Sequence, residues 1–207
     1  MPALDHLLWA APDLAAGSAA MAELTGVTPA PGGAHPGFGT RNSLLSLGDS
    51  YLEIIAPDPA QPLAGNRGGE IAGLAGPGLL TFAVRTHDLA GFAAAAARAG
   101  LAVGPPTPMS RRRPDGLALA WVVQQARSEA FPNLVPFAID WRDCPHPAGT
   151  TPQGCALLDF AVLHPEPGRL AALYAALDLP VAVERSAAPG FRATLETPRG
   201  RVLLAAP

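Results

Sequence analysis

The chain has 207 residues, 49% of them apolar and 15% charged, with a formal net charge of −3. This supplies a core for one domain or two small ones and excludes a disordered chain. The charge balance gives no footing for nucleic acid or a membrane surface as partner, and all 14 basic residues are arginine, which excludes a Schiff-base lysine, a P-loop lysine and a Ser–Lys dyad.

Leu4 to Ala10 reads as a strand, and Asp13 as the N-cap of a helix to about Leu24, ended by Gly26. Pro29 to Gly39 reads as a Gly/Pro loop. Thr40–Leu47 and Ser50–Ala56 read as strands joined by a tight hairpin at Gly48-Asp49. Residues 57–77 read as a connector with a short helical turn near Glu70–Leu74. A strand at Leu79–Arg85 and a helix at Asp88–Ala99 follow, then a loop over Pro105–Asp115 carrying Arg111, Arg112 and Arg113. Strands are expected at Leu117–Gln125 and Leu134–Trp141, then at Ala156–Leu163. A helix at Glu166–Leu177 precedes strands near Val181–Arg185, Phe191–Glu196 and Arg201–Ala205.

The strand–helix unit recurs. Leu4-Asp5-His6, Leu79-Leu80-Thr81 and Leu158-Asp159-Phe160 open three similar segments, at about 3–57, 78–141 and 155–206. One slot thus holds His6, then Thr81, then Phe160. The segment Tyr51 to Pro57 is echoed by Arg201 to Pro207, with Glu53 opposite Leu203. Several strands follow each helix, with tight turns in the first and third copies, so the sheets are expected to be antiparallel or mixed and curved, with helices outside. The class is α+β, as a single domain over 1–207.

Strand side chains alternate faces, so Leu4, His6, Leu8 and Ala10 share one face and Tyr51, Glu53 and Ile55 another. A lone buried charge is costly unless paired or bound to a metal. If the first and last strands of copy one are neighbours, His6 and Glu53 meet, as a metal pair for Zn, Fe, Mn or Ni or as a buried hydrogen bond. His35, in the Gly/Pro loop, is a candidate third ligand. With Thr40 and Asn42 it could equally contact substrate or simply hold the loop. Trp121 and Trp141 line a cavity or fill the core. The arginine run attracts an acidic substrate or is solvated. His87, His146 and His164 receive no role. Gly48-Asp49-Ser50 with Asp143-Cys-Pro-His146 mimics blocks of GDSL-type serine esterases, but Ser50 enters a strand after a hairpin, where that chemistry needs a strand-to-helix turn.

The combination of Asp5-His6, Gly32-Gly-Ala-His-Pro-Gly-Phe-Gly-Thr-Arg-Asn42, Tyr51-Leu-Glu53 and Pro136-Phe-Ala-Ile-Asp-Trp141 resembles the glyoxalase-like domain family. That family belongs to the vicinal-oxygen-chelate superfamily, with glyoxalase I, extradiol dioxygenases and bleomycin-resistance proteins. The resemblance implies a divalent metal (Zn, Ni, Mn or Fe) held by ligands from two paired modules. His6 and Glu53 match the first module's positions, and neither Thr81, Phe160 nor Leu203 supplies the partners. Two functions follow. One is a metal-dependent lyase or isomerase-type enzyme acting on a small vicinal-oxygen substrate, with Glu53 as ligand or catalytic base and His35, Thr40, Asn42 and Trp121 against substrate. The other is a metal-free protein that binds or sequesters a small molecule. An odd number of modules points to a homodimer. The N-terminus has no basic flank for a signal peptide, and Cys144 and Cys155 form no C-x-x-C pair, so a cytoplasmic protein is expected.

Overall fold

The computed structural model describes residues 1–112, 116 and 118–207. Arg113 of the arginine run lies outside the described residues. The first module contains β1 (Ala3–Ala10), α1 (Leu14–Thr25), β2 (Ala30–His35), β3 (Thr40–Ser46) and β4 (Tyr51–Pro57). A connector carries α2 (Arg67–Ala72). The second module contains β5 (Gly78–Arg85), α3 (Leu89–Arg98), β6 (Ala102–Val103), β7 (Thr107–Arg112), β8 (Ala118–Gln124), β9 (Ala126–Arg127) and β10 (Phe137–Asp140). A third unit contains β11 (Ala156–His164), α4 (Pro167–Ala176), β12 (Ala182–Arg185), β13 (Gly190–Thr197) and β14 (Gly200–Ala205).

Capping fixes α1 as its sequence suggests. The Asp13 carboxylate accepts from the Ala16 N–H, and Gly26 closes the helix at φ 78°, a left-handed conformation that favours glycine. Two segments expected as loops are strands. Ala30–His35 forms β2 despite its Pro and two Gly, and Thr107–Arg112 forms β7. Both are edge strands, where a proline without an N–H costs no ladder hydrogen bond.

The eight-stranded sheet runs β2-β3-β4-β1-β5-β10-β8-β7. In each of the first two modules the first strand pairs in parallel with the last, β1 with β4 and β5 with β10. The modules meet through antiparallel β1 and β5. The sheet curls until its edges, β2 and β7, approach one another. Gly32 permits that closure. A Cβ there would lie 1.9 Å from Asn42 Oδ1 and 2.6 Å from Arg111 Nη1.

The third unit is wired differently. Its sheet runs β12-β11-β13-β14, and β11 pairs in parallel with β12, the first strand after the helix. β14 lies beside β13 and away from β11. The expected equivalence of Leu203 with Glu53 therefore fails, and Leu203 is 65% exposed. Phe160, in the slot of His6, packs edge-on against Phe82 of β5 at 5.2 Å between centroids.

That packing defines the main core. Leu7, Trp9, Phe82 and Val84 on the convex face of the large sheet join Met21 of α1, Phe92 of α3, and Leu170, Tyr174, Phe191 and Leu195 of the third unit. Each fully buried side chain of this kind contributes about 1.5–3 kcal/mol against exposure. The Tyr174 hydroxyl donates to the Leu134 carbonyl and ties the third unit to the second. The concave face is left to line a cavity. No helix among the described residues is long and apolar enough to cross a membrane.

Candidate active site

The site begins with a break in strand alternation. β1 pairs Leu4 with Val84 and His6 with Ala83, so Asp5 is an extra residue opposite nothing on β5. Such a bulge re-aims side chains. Leu4 packs against the convex-face core, while Leu8 and Ala10 belong to a concave-face cluster. The expected face of Leu4, His6, Leu8 and Ala10 is therefore split at Asp5. Tyr51, Glu53 and Ile55 share one face of β4 as expected, and that face looks inward.

The bulge lets neighbouring residues bond. His6 Nδ1 donates to Asp5 Oδ1 at 2.6 Å. Trp141 Nε1 donates to Asp5 Oδ2 at 3.0 Å, and His146 Nε2 lies 3.0 Å from the same oxygen. Asp5 is fully buried. Burial alone would raise its pKa, but hydrogen bonds from His146 and His6 outweigh that and hold it well below the usual carboxylate range. On the other side of the ring, His6 Nε2 lies 3.3 Å from Glu53 Oε2. Burial would lower the His6 pKa, but Asp5 and Glu53 overcome it and raise it to about 9. Burial likewise opposes ionisation of Glu53, yet His6, His35 and Asn42 bring its pKa down to about 2. The Tyr51 ring stacks on His6 at 4.5 Å, and burial followed by the Asp5 and Glu53 charges keeps its phenol protonated.

A second layer fixes the carboxylate. Asn42 Nδ2 donates to Glu53 Oε1 at 2.5 Å and lies 3.3 Å from His35 Nε2. An amide nitrogen only donates, so His35 Nε2 accepts and its Nδ1 carries the hydrogen, bonded to Thr40 Oγ1 at 2.9 Å. The ring is neutral, consistent with a pKa lowered first by burial, against the pull of Glu53. His35 Nε2 also stands 3.7 Å from Glu53 Oε1.

These groups face a cavity of about 320 Å³ on the concave side. His6, His35, Thr40, Asn42, Glu53 and Trp121, the six residues singled out from sequence, all line it. Trp121 and Trp141 form one wall, their rings 5.2 Å apart. Asp5 and His146 join the array although the sequence alone assigns neither a role in it. His146 turns Nε2 to Asp5 and caps the 3₁₀ turn Pro147–Gly149. An aspartate beside a histidine in an apolar strand was the available signal for Asp5. His146 stands out in the sequence only as the end of the Asp143-Cys-Pro-His146 block, which points to a different chemistry.

The register shows what the second module offers in place of His6 and Glu53. Glu53 sits opposite Leu8, two residues beyond His6. Phe137 sits opposite Ala83, two residues beyond Thr81. The equivalent slots are thus Thr81 and Phe137, and the Phe137 ring packs edge-on against His6 at 5.6 Å. Among the described residues no group of three or more His, Cys, Asp and Glu side chains has the arrangement of a metal site. Neither Thr81 nor Phe137 supplies the second module's ligands, and Asn42 occupies one oxygen of Glu53. The residues present do not fit the two-module ligand set that the resemblance implied.

Comparison with known proteins agrees with this architecture. A family profile, that of a glyoxalase-like domain, matches residues 4–177. The chain belongs to that family. A crystal structure of a hypothetical protein from Staphylococcus aureus superposes on 99% of the glyoxalase-like chain and 85% of its own, with a TM-score of 0.70 and 15% identity. Methylmalonyl-CoA epimerase from Mycobacterium tuberculosis covers 71% of this chain and 91% of its own, with a TM-score of 0.51 and 19% identity. A variant of the Streptomyces coelicolor methylmalonyl-CoA epimerase, in complex with 2-nitronate-propionyl-CoA, covers 67% and 96%, with a TM-score of 0.50 and 20% identity. These likenesses show a shared vicinal-oxygen-chelate fold. No curated protein matches the sequence.

Proposed function

We propose that this protein is an isomerase-type acid–base enzyme that moves a proton at a carbon next to a carbonyl of a small molecule. The observation that carries the reading is the buried Asp5–His6–Glu53 array, set against a cavity with aromatic walls. Glu53 is the base and His6 the electrophile. In the free protein the two satisfy one another, and that hydrogen bond is the largest influence lowering the Glu53 pKa. A substrate carbonyl that takes the His6 Nε2–H releases Glu53 from it and raises its basicity. The C–H bond then breaks, its proton goes to Glu53, and its electron pair moves onto the carbonyl oxygen facing the imidazolium. Asp5 keeps His6 charged and oriented throughout. Asn42 holds the carboxylate through its other oxygen. Returning the proton to the opposite face or the neighbouring atom completes the reaction without an oxidant.

The test is exchange of solvent deuterium into 2-oxo acids, thioesters and 2-oxoaldehyde–thiol adducts, followed by NMR. Exchange is expected with the wild type, and a loss of about 10²–10⁴-fold in Glu53→Gln. Ligands that bind without exchange would sink the enzyme reading and leave a binding or sequestering protein.

A divalent ion remains a second reading on one observation. The Nε2 atoms of His6 and His35 both approach Glu53, at 3.3 and 3.7 Å. It requires His6 to lose its proton and Asn42 to withdraw, and it expects about one equivalent of metal, lost in His6→Ala. The homodimer suggested by the odd module count is tested by light scattering.

A further inference from the structure

A smaller cavity of about 170 Å³ adjoins the first and shares Arg67, Glu70, Gln125, Arg127 and Phe137 with it. Neither His6, Glu53, His35 nor Asn42 lines this second space. Phe137 touches His6, and Arg67, Glu70, Gln125 and Arg127 line the junction where the two spaces meet.

Two cations sit at that junction. Arg67 opens α2 in the connector, and Arg127 lies on β9 of the second module. Arg67 Nη1 donates to Glu70 Oε2 at 2.7 Å and to Asn133 Oδ1 at 3.1 Å. Arg127 is exposed, and its side chain has no hydrogen bond or ion pair among the described residues. Burial lowers the Arg67 pKa, and after the opposing pull of Glu70 the charge of Arg127 lowers it further, so the two guanidinium groups feel each other. Like charges brought together over a hollow, one already neutralised by Glu70, leave one positive charge unanswered. A guanidinium fork matches a carboxylate in shape and in hydrogen-bond count.

We infer that the junction is an anion subsite, and that the ligand of this cavity carries a carboxylate between Arg67 and Arg127 while its other end faces Glu53. The single net charge of Arg67, Glu70 and Arg127 suits a monoanion better than a phosphate dianion. Phe137, which lines both spaces, packs against the chain between the two ends. The inference names the ligand class for the reading above and rests on it only for what happens at the far end.

The probes are ω-1 oxo acids of five to eight carbons, from 4-oxopentanoate upward, beside their methyl esters and inorganic phosphate. Binding is measured by NMR titration to the wild type, Arg127→Gln and Glu53→Gln, with and without added salt. The acid is expected to bind about ten- to a hundredfold more tightly than its ester. That preference should shrink with salt, disappear in Arg127→Gln, and survive in Glu53→Gln. Equal affinity for acid and ester in the wild type would overturn the subsite. So would a preference that persists in Arg127→Gln, stronger binding of phosphate than of any acid, or no binding of any acid at millimolar concentration. A preference for acids without deuterium exchange would remove the catalytic reading and keep the subsite. Exchange on esters as fast as on acids would do the reverse.

Discussion

The first two modules share one backbone plan and opposite chemistry. Both run strand, helix and strands, and both pair their first strand in parallel with their last. The first places His6 and Glu53 on the inner face at the seam. The second places Thr81 and Phe137 in the matching slots. One module therefore carries the reacting pair, and the other supplies a wall beside it. The fold constrains strand order and curvature, and tolerates a change from an ionic pair to an uncharged one at equivalent positions. The difference also shows why two buried carboxylates survive in module one: Asp5 and Glu53 flank one imidazolium, and Trp141, His146 and Asn42 absorb the remaining lone pairs.

That contrast can be broken most severely at Asp5. Asp5→Ala leaves a buried imidazolium with one partner fewer, and the expected loss is about 3–5 kcal/mol of unfolding free energy in urea titration. The same change at Thr81, an uncharged side chain in the matching slot, should cost much less. A midpoint as high as that of wild type for Asp5→Ala would mean that Asp5 does not anchor the array. The contrast is sharpened by Thr81→His with Phe137→Glu, which gives the second module the first module's side chains. The double variant is expected to bind about one equivalent of Zn or Ni, read by elemental analysis; failure to bind would show that the two modules' slots do not face a common point.

Proton linkage sets a smaller, graded effect. His6 is raised from 6.5 to about 9, so its stabilisation is complete below about pH 6.5 and lost as pH rises through 9. His35 is lowered and works the other way, costing stability as pH falls below 6.5. Glu53 is lowered from 4.5 to about 2, so its contribution holds above 4.5 and disappears as pH falls toward 2. Stability should therefore peak near pH 6.5, with an alkaline fall on the order of 2 kcal/mol by pH 9. Denaturation midpoints across pH in wild type and His6→Phe check this, and an alkaline limb unchanged in the variant would refute the assignment. The smallest effect is expected from His146→Ala. It removes one of three donors to Asp5 from a partly exposed position, at a cost of about 1 kcal/mol by thermal unfolding.

Much of this site was legible in the chain. Tyr51-Leu-Glu-Ile-Ile alternates cleanly, and β4 follows it. The pairing of first and last strands brings His6 and Glu53 together as the sequence suggested. The Gly/Pro segments hid β2 and β7, because edge strands dispense with the β-branched pattern that marks central ones. Alternation failed at Asp5 because a bulge adds a residue that no composition rule announces. The apparent third copy misled for a related reason. Similar strand–helix openings say nothing about which neighbour a later strand chooses, and β14 chose β13.

The bulge at Asp5 carries a lesson for anyone wishing to transplant this centre. Copying His6, Glu53 and Asn42 onto a regular strand pair would reproduce the side chains and lose the parity that lets two consecutive residues work on one imidazole. Deleting Asp5, the residue between Leu4 and His6, would return the strand to strict alternation there. The chain would keep its barrel-like sheet and surrender the carboxylate that holds Nδ1 of the ring.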